Sequence, residues 1–353
     1  MVSQQRWPDL LTTLVAGSDL SAEQTAWAMQ EVLSGSASDV QLAAFAVALR
    51  AKGETVEELR GLAEAMLDKA RPLDLDPDAV DVVGTGGDRA NTVNISTMAA
   101  ITAAAAGARV AKHGNRAASS ACGTADVLEE LGVVLELPAD KQQQVMDAAG
   151  IVFLFASYYH SSLRHAAGVR AGLGIQTTFN LLGPLANPAR PRAQAIGIAD
   201  ARAAALIAGV LAARGVRGMV FHGDDGLDEL TTTTSSRIWL INDGRVVETT
   251  LDPRELGIPA ARVEDLVGGD RVRNAEVARA VFAGEPGPVR DIVTLNAAAA
   301  LLAFAGPDLD RPVAEQFAEQ LERARTVLDD GSARAKLDLW VRTTRDAAAA
   351  QDD

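Results

Sequence analysis

From residue 79 to residue 222 the chain alternates two kinds of segment. The short apolar runs 79–83, 109–111, 133–137, 151–156, 193–198 and 218–222 read as buried strands. Between them, 96–106, 124–131, 139–149 and 201–214 carry apolar residues at helical spacing. Gly107, Gly132, Gly150 and Gly215 stand where four such helices would stop. Strands that alternate with helices are joined by crossovers, so the rhythm predicts an α/β fold with a mostly parallel sheet covered on both faces. Beyond it, 236–250 places Asp243-Gly244 between two alternating runs, which predicts a tight hairpin. From Asn274 the pattern is helical again.

The first seventy or so residues show only the helical period. Leu59, Leu62, Ala63, Met66 and Leu67 recur with charges between them, 39–53 repeats the pattern and ends at Gly53, and Ser36–Asp39 offers capping groups. Arg71-Pro72 closes this stretch, which predicts a small helical domain, 1–74, ahead of an α/β domain, 75–353. The turn-rich run 183–188 marks a crossing between domains.

Composition narrows the function. The formal charge is −14, which argues against a nucleic-acid or anionic-membrane partner but leaves room for a local basic pocket. The single cysteine, Cys122, excludes an internal disulfide and a multi-cysteine zinc site, and reads as a small buried side chain. The N-terminus lacks a basic-then-apolar leader, and apolar stretches such as 98–110 are too short to span a bilayer, so a cytoplasmic protein is expected.

In open parallel sheets ligands bind beyond the carboxyl ends of the strands. The polar clusters follow the strands: Gly84–Asp88 (GTGGD) and the NIST run Asn94–Thr97, Lys112–Arg116 with the small residues after it, 157–170, and 222–230. All four histidines, His113, His160, His165 and His222, lie in or beside these segments. GTGGD lacks the glycine that the dinucleotide fingerprint needs at Arg89, and no P-loop is present. It reads as an anion cradle or a tight turn, and Ser96 or Thr97 as a ligand or an ordinary helix cap. Two fixed cations, Lys112 and Arg116, suit an anion. Asp224, Asp225, Asp228 and Glu229 fall within six positions and would repel one another without a cation, for which magnesium fits best; a solvated acidic loop is the alternative. No nucleophile–base arrangement suggests covalent catalysis. The whole describes a site for a phosphorylated or pyrophosphorylated metabolite.

In order, GTGGD, NTVNIST, KHGNRAASS, GTADVLEELG, HAAGVR, TTFNLLGPLANPAR and HGDDGLDELT strongly resemble the anthranilate phosphoribosyltransferase family. The likeness runs from about residue 48 to about residue 300. It implies a nucleoside phosphorylase-like fold (a class III/IV phosphoribosyltransferase), with helices from about 162–190 joining the helical domain in space. It also implies a homodimer formed through that domain, and transfer of phosphoribose from phosphoribosyl pyrophosphate to anthranilate with magnesium, two ions accompanying the donor. By position, Gly84, Gly87, Asp88, Thr92, Asn94, Ser96, Thr97, Lys112, Gly114, Asn115, Arg116, Ala117, Ala118, Ser119, Ser120 and Thr124 would bind the donor. Ser96, Asp228 and Glu229 would hold metal; Gly84, His113, Asn115, His160 and Arg170 would meet anthranilate. Arg89 stands where the family often has glycine, Ser157 and Ser161 where it commonly has proline, and Gln176 where arginine is common.

Overall fold

The computed structural model describes residues 5–117 and 121–350. Helices α1 (Trp7–Val15), α2 (Ala22–Ser34), α3 (Asp39–Lys52) and α4 (Val56–Lys69) come first. Then follow β1 (Val80–Gly84), α5 (Ile95–Ala105), β2 (Val110–Gly114), α6 (Thr124–Leu131), α7 (Ala139–Ala149) and β3 (Ile151–Phe155). The short α8 (Ala156–Tyr159) and α9 (Arg164–Leu173) precede β4 (Ala193–Gly197), α10 (Ala201–Ala213), β5 (Arg217–Gly223), β6 (Ser236–Asn242) and β7 (Arg245–Leu251). Helices α11 (Arg271–Phe282), α12 (Pro288–Ala305), α13 (Val313–Asp329) and α14 (Ser332–Ala349) end the described chain. Two compact units result: Met1–Pro72 with Ala156–Pro188, and Leu73–Phe155 with Ala189–Asp353.

In the first unit Ser21, Ser38 and Thr55 each accept from the backbone N–H three residues on, so α2, α3 and α4 start at sharp, satisfied ends. Glu58 is fully buried and divides its oxygens between the N–H groups of Leu20 (2.9 Å) and Thr55 (2.8 Å) and the Lys52 ammonium (3.0 Å). Trp7 packs on Trp27 and Phe45, with ring centres 5.4 and 5.8 Å away. Helices α2 and α4 pack closely because α4 carries glycine at the crossing: a Cβ on Gly61 would lie 2.1 Å from the Ala22 carbonyl oxygen and 2.2 Å from Thr25 Oγ1.

The second unit is built on one seven-stranded sheet in the order β3-β2-β1-β4-β5-β6-β7. Neighbours from β3 to β5 pair in parallel; β5, β6 and β7 are antiparallel. The β6–β7 turn has φ of 48° at Asp243 and 71° at Gly244, the left-handed pair that a two-residue hairpin requires. Strand order reverses between β1 and β4, so the crevice beyond their carboxyl ends is the switch point where ligands settle in such sheets.

Two expectations change. The run 133–137 alternates in burial, with Val133, Leu135 and Leu137 inside, but it is no strand. Its first N–H closes α6 onto Leu128 O and its second is taken by Thr344 Oγ1 of α14, so its backbone partners come from helices. The helix expected over 201–214 forms over Ala201–Ala213; the second change concerns the apolar stretches, expected to be too short to span a bilayer: α12, within the helical pattern expected from Asn274, has 18 residues and is long and apolar enough to cross a membrane. It is instead packed against α5, α13, β4 and β5, with Ile292–Ala303 buried.

A glycine-to-alanine change inside a helix ordinarily stabilises it by about 1 kcal/mol. Gly61→Ala should do the reverse, destabilising by about 1–3 kcal/mol through overpacking against α2. A lower urea midpoint at unchanged m-value is expected; a higher midpoint would show a looser crossing.

Candidate active site

Gly84 and Gly197 face each other in register at the ends of β1 and β4. Neither position has room for a side chain. A Cβ on Gly197 would lie 1.7 Å from the Asp228 carbonyl oxygen, and one on Gly84 would lie 2.1 Å from Asp228 Oδ2. The loop after β5 therefore lies directly on the sheet edge. Asn296 of α12 fixes it there, accepting from Leu230 N–H (3.0 Å) and donating to Leu230 O (2.9 Å). Asp228 Oδ2 accepts from Gly86 N–H at 2.6 Å, and Glu229 Oε1 from Ser96 N–H at 3.1 Å. One acidic loop thus joins the glycine loop to the start of α5.

The four carboxylates of this loop do not converge. Asp225 accepts from the hydroxyls of Thr231 and Thr233 and from Leu227 N–H (3.2 Å), and so shapes the loop. Asp224 faces Arg237 at 3.7 Å. Only Asp228 and Glu229 are withdrawn from the surface, and burial first, then Asp88 beside Asp228 and Asp228 beside Glu229, pushes their carboxyls up to about 7 and about 8. The nearby cation is Lys112, which is 1% exposed and whose ammonium donates to Val82 O and Ser96 Oγ. Burial lowers its pKa against the pull of Asp81, Glu229 and Asp228. One lysine leaves these acids undercompensated, and a hard divalent cation is the species that would relieve them. Among the described residues no group of three His, Cys, Asp or Glu side chains could hold a metal alone. A magnesium ion at Asp228, Glu229 and Ser96 therefore fits only if substrate and water oxygens complete its shell.

The glycine loop turns through φ of 69° at Gly86 and 87° at Gly87, then 61° at Arg89 and 51° at Asn91. Arg89 thus occupies a left-handed position, which explains why glycine suits it and arginine is strained there. Asp88 Oδ1 accepts from Ala90 N–H at 3.2 Å. Helix α5 starts at Ile95, with Asn94 rather than Ser96 or Thr97 at the cap position and no side-chain cap bond. Thr97 and Thr124 hydroxyls meet at 3.4 Å, and Thr92 bridges to Val267.

His113 N–H donates to the buried Asp81 Oδ1 at 3.0 Å, and Gly114 ends β2 against Phe153 and Thr124. Asn115 O accepts from Ala125 N–H. The Arg116 guanidinium is held by Glu129 at 2.6 and 2.7 Å and by Asp126 at 3.1 Å. Asp126 also accepts from the N–H groups of Ala117 and Gly123, drawing the loop ends together. Ala118, Ser119 and Ser120 lie outside the described residues.

The segment after β3 belongs to the helical unit. His160 is buried with Nε2 2.6 Å from Ala186 O, and the His165 ring lies against Gly35. His222 Nδ1 meets Ile198 O at 2.7 Å. Of the three, only His222 lies in the unit that carries Asp228 and Glu229. Arg170 of α9 stacks over Phe179, 5.8 Å from the ring centre; burial lowers its pKa, and it has no ion-pair partner among the described residues.

Sequence reasoning missed Gly197 and Asn296. Gly197 reads as an ordinary strand residue, and Asn296 as one polar letter in an apolar helix. That isolation was the available signal, since a polar side chain at a core position requires a partner.

Residues 8–70 match the helical bundle domain, and residues 76–334 the a/b domain, of a glycosyl transferase family. Anthranilate phosphoribosyltransferase of Thermobifida fusca (strain YX) is 54% identical over 344 residues, 98% of each chain. That of Nocardioides sp. (strain ATCC BAA-499 / JS614) is 56% identical over 96% of this chain and 98% of its own. The crystal structure of the Thermus thermophilus anthranilate phosphoribosyltransferase matches with a TM-score of 0.88 at 40% identity, covering 96% of this chain and 99% of that one. The Saccharomyces cerevisiae enzyme in complex with PRPP and Mg shares the fold, with a TM-score of 0.86 at 24% identity over 96% and 98% of the two chains. With the sheet-edge site in place and relatives matching over nearly their whole length, the chain belongs to the anthranilate phosphoribosyltransferase family.

Proposed function

We propose that the sheet-edge site binds phosphoribosyl pyrophosphate (PRPP) with magnesium, and that Arg170 receives the carboxylate of anthranilate. The enzyme transfers the phosphoribosyl group of PRPP to the amino group of anthranilate, giving N-(5-phosphoribosyl)anthranilate and pyrophosphate in tryptophan biosynthesis. The observation that carries the site assignment is the buried pair Asp228 and Glu229, destabilised by burial and by neighbouring carboxylates and placed between a glycine loop and a helix start.

In the reaction the bond between the anomeric carbon and the pyrophosphate oxygen breaks, and a bond from that carbon to the aromatic nitrogen forms. The nitrogen then loses a proton. The amine is neutral at pH 7, so the chain's task is alignment and charge rather than strong base catalysis. Magnesium, held by Ser96, Asp228 and Glu229, would offset charge growing on pyrophosphate; two ions are proposed. The loop at Gly84–Asp88, with Thr92, the α5 start at Asn94–Thr97, and Gly114–Thr124, would cradle the donor. Lys112 and Arg116 belong to this reading through their charge, although their side chains hydrogen-bond within the protein. His113, Asn115, Gly84 and His160 are assigned to the acceptor. The partly desolvated guanidinium of Arg170, which has no ion-pair partner among the described residues, supports its role, because a carboxylate would find it unneutralised. We place the enzyme in the cytoplasm as a homodimer formed through the helical unit, where Val15 and Val40 are 80% and 79% exposed.

Loss of anthranilate fluorescence should require PRPP and magnesium together. Replacing Asp228 and Glu229 with Ala should reduce turnover by at least about a hundredfold; retained magnesium-dependent turnover would contradict the metal assignment. Arg170→Ala should raise the KM for anthranilate roughly 10- to 100-fold with little change for PRPP. An unchanged KM would place the acceptor carboxylate elsewhere.

The raised carboxyls also set a pH dependence. Between their ordinary values near 4 and the folded values of about 7 and about 8, the folded state binds more protons than the unfolded one. Metal-free stability should therefore fall as pH rises from about 5 to 8. Thermal melts should show this slope reduced in Asp228→Asn/Glu229→Gln. An equal slope in that variant would assign the pH dependence to other groups.

A further inference from the structure

We propose that Asn274 prevents Asn94 from capping its own helix and so keeps the start of α5 open to the donor's phosphates. The inference rests on the reading that PRPP occupies this sheet edge. Asparagine at the cap position normally turns its carbonyl oxygen onto the N–H two or three residues ahead. Asn94 stands at that position on α5, yet it makes no such bond.

Its amide is held from both ends. Asn274 Nδ2 donates to Asn94 Oδ1 at 2.9 Å, and Asn94 Nδ2 donates to Cys122 O at 3.2 Å. Asn274 is 2% exposed, and its own oxygen accepts from Gly269 N–H at 2.7 Å. The orientation of both amides is determined by this chain. Turning either one would set donor against donor and oxygen against oxygen.

Asn274 is itself rigidly placed. Gly268 N–H donates to Asn91 O at 2.9 Å and Val93 N–H to Leu266 O at 3.0 Å, so the strip before α11 lies along the strip before α5. A Cβ on Gly268 would lie 2.7 Å from Asn274 Oδ1 and 3.0 Å from Thr92 O, so glycine is required for that approach. Ser96 N–H, the second of α5, is given to Glu229 instead of to a local cap. The helix start is therefore organised by distant residues and left for an anion, where its own cap would compete with phosphate. Asn274 is a positioning residue: it acts through Asn94.

Steady-state kinetics and calorimetry with magnesium–PRPP test the proposal. Freed from Asn274, Asn94 would cap α5 and oppose the donor. Since a cap bond is worth about 1 kcal/mol, Asn274→Ala should raise the KM for PRPP about five- to tenfold, with the KM for anthranilate unchanged. Because Asn94 itself belongs to the donor cradle, the discriminating readout is the split between the two KM values: a loss confined to PRPP marks positioning through Asn94, whereas a role in stability alone would leave the KM for PRPP of the folded variant unchanged and lower only its melting temperature. If Asn274→Ala does not fold, Asn274→Asp carries the same expectation, because it keeps the size and the acceptor for Gly269 but loses the donor to Asn94. A wild-type KM for PRPP in the folded single variant, or an equal rise in the KM for anthranilate, would overturn the proposal. Failure of the unaltered enzyme to bind magnesium–PRPP would overturn the functional reading and this inference together.

Discussion

The close approach of the Asp228 backbone to a pair of glycines at the sheet edge underlies everything else in the site. Gly84 and Gly197 are partners in the parallel ladder, and a side chain on either would collide with Asp228. Parallel strands present their carboxyl ends together, and the reversal of strand order between β1 and β4 leaves the gap there. The chain fills the gap with an acidic loop rather than an apolar one. Asn296 then secures that loop through both polar groups of the Leu230 backbone.

Burying two carboxylates at this point is unfavourable by itself. Gly86 and Ser96 each give one an N–H, and Lys112 offers partial compensation, yet both carboxyls remain far above their ordinary range. A group kept so poorly satisfied by its own protein is poised for an outside partner. The glycine loop and the α5 start supply backbone N–H groups for anions beside it, so a metal–phosphate pair answers both needs. In the proposed reaction such preorganised charge would stabilise a leaving pyrophosphate without a covalent intermediate.

Much of the fold was legible because its elements are marked at both ends. Helices α6 and α7 form over the expected residues, with Gly132 and Gly150 left-handed just after them. The hairpin follows from Asp243-Gly244. The error at 133–137 has a plain cause: alternate burial reports one covered face and cannot tell a sheet neighbour from α14. In the site, Asp228, Glu229 and the glycine loop were legible as a cluster, since carboxylates and glycines at such density are costly without a use. The division of the acidic loop was not legible: Asp225 looks like Asp228 in sequence, and only the positions of Thr231 and Thr233 separate them. Nor did sequence show that Arg116 is engaged by Glu129, thirteen residues away, or that Asn94 is held by Asn274.

Burial raises the Asp228 and Glu229 carboxyls toward neutral pH, so magnesium with substrate would displace protons that the pair shares there. Calorimetry of preformed magnesium–PRPP binding, repeated at pH 7 in buffers of different ionisation enthalpy, counts the protons exchanged. Release of about one proton per site, lost in Asp228→Asn/Glu229→Gln, is the expected result. Binding heats that show no dependence on the buffer would contradict it.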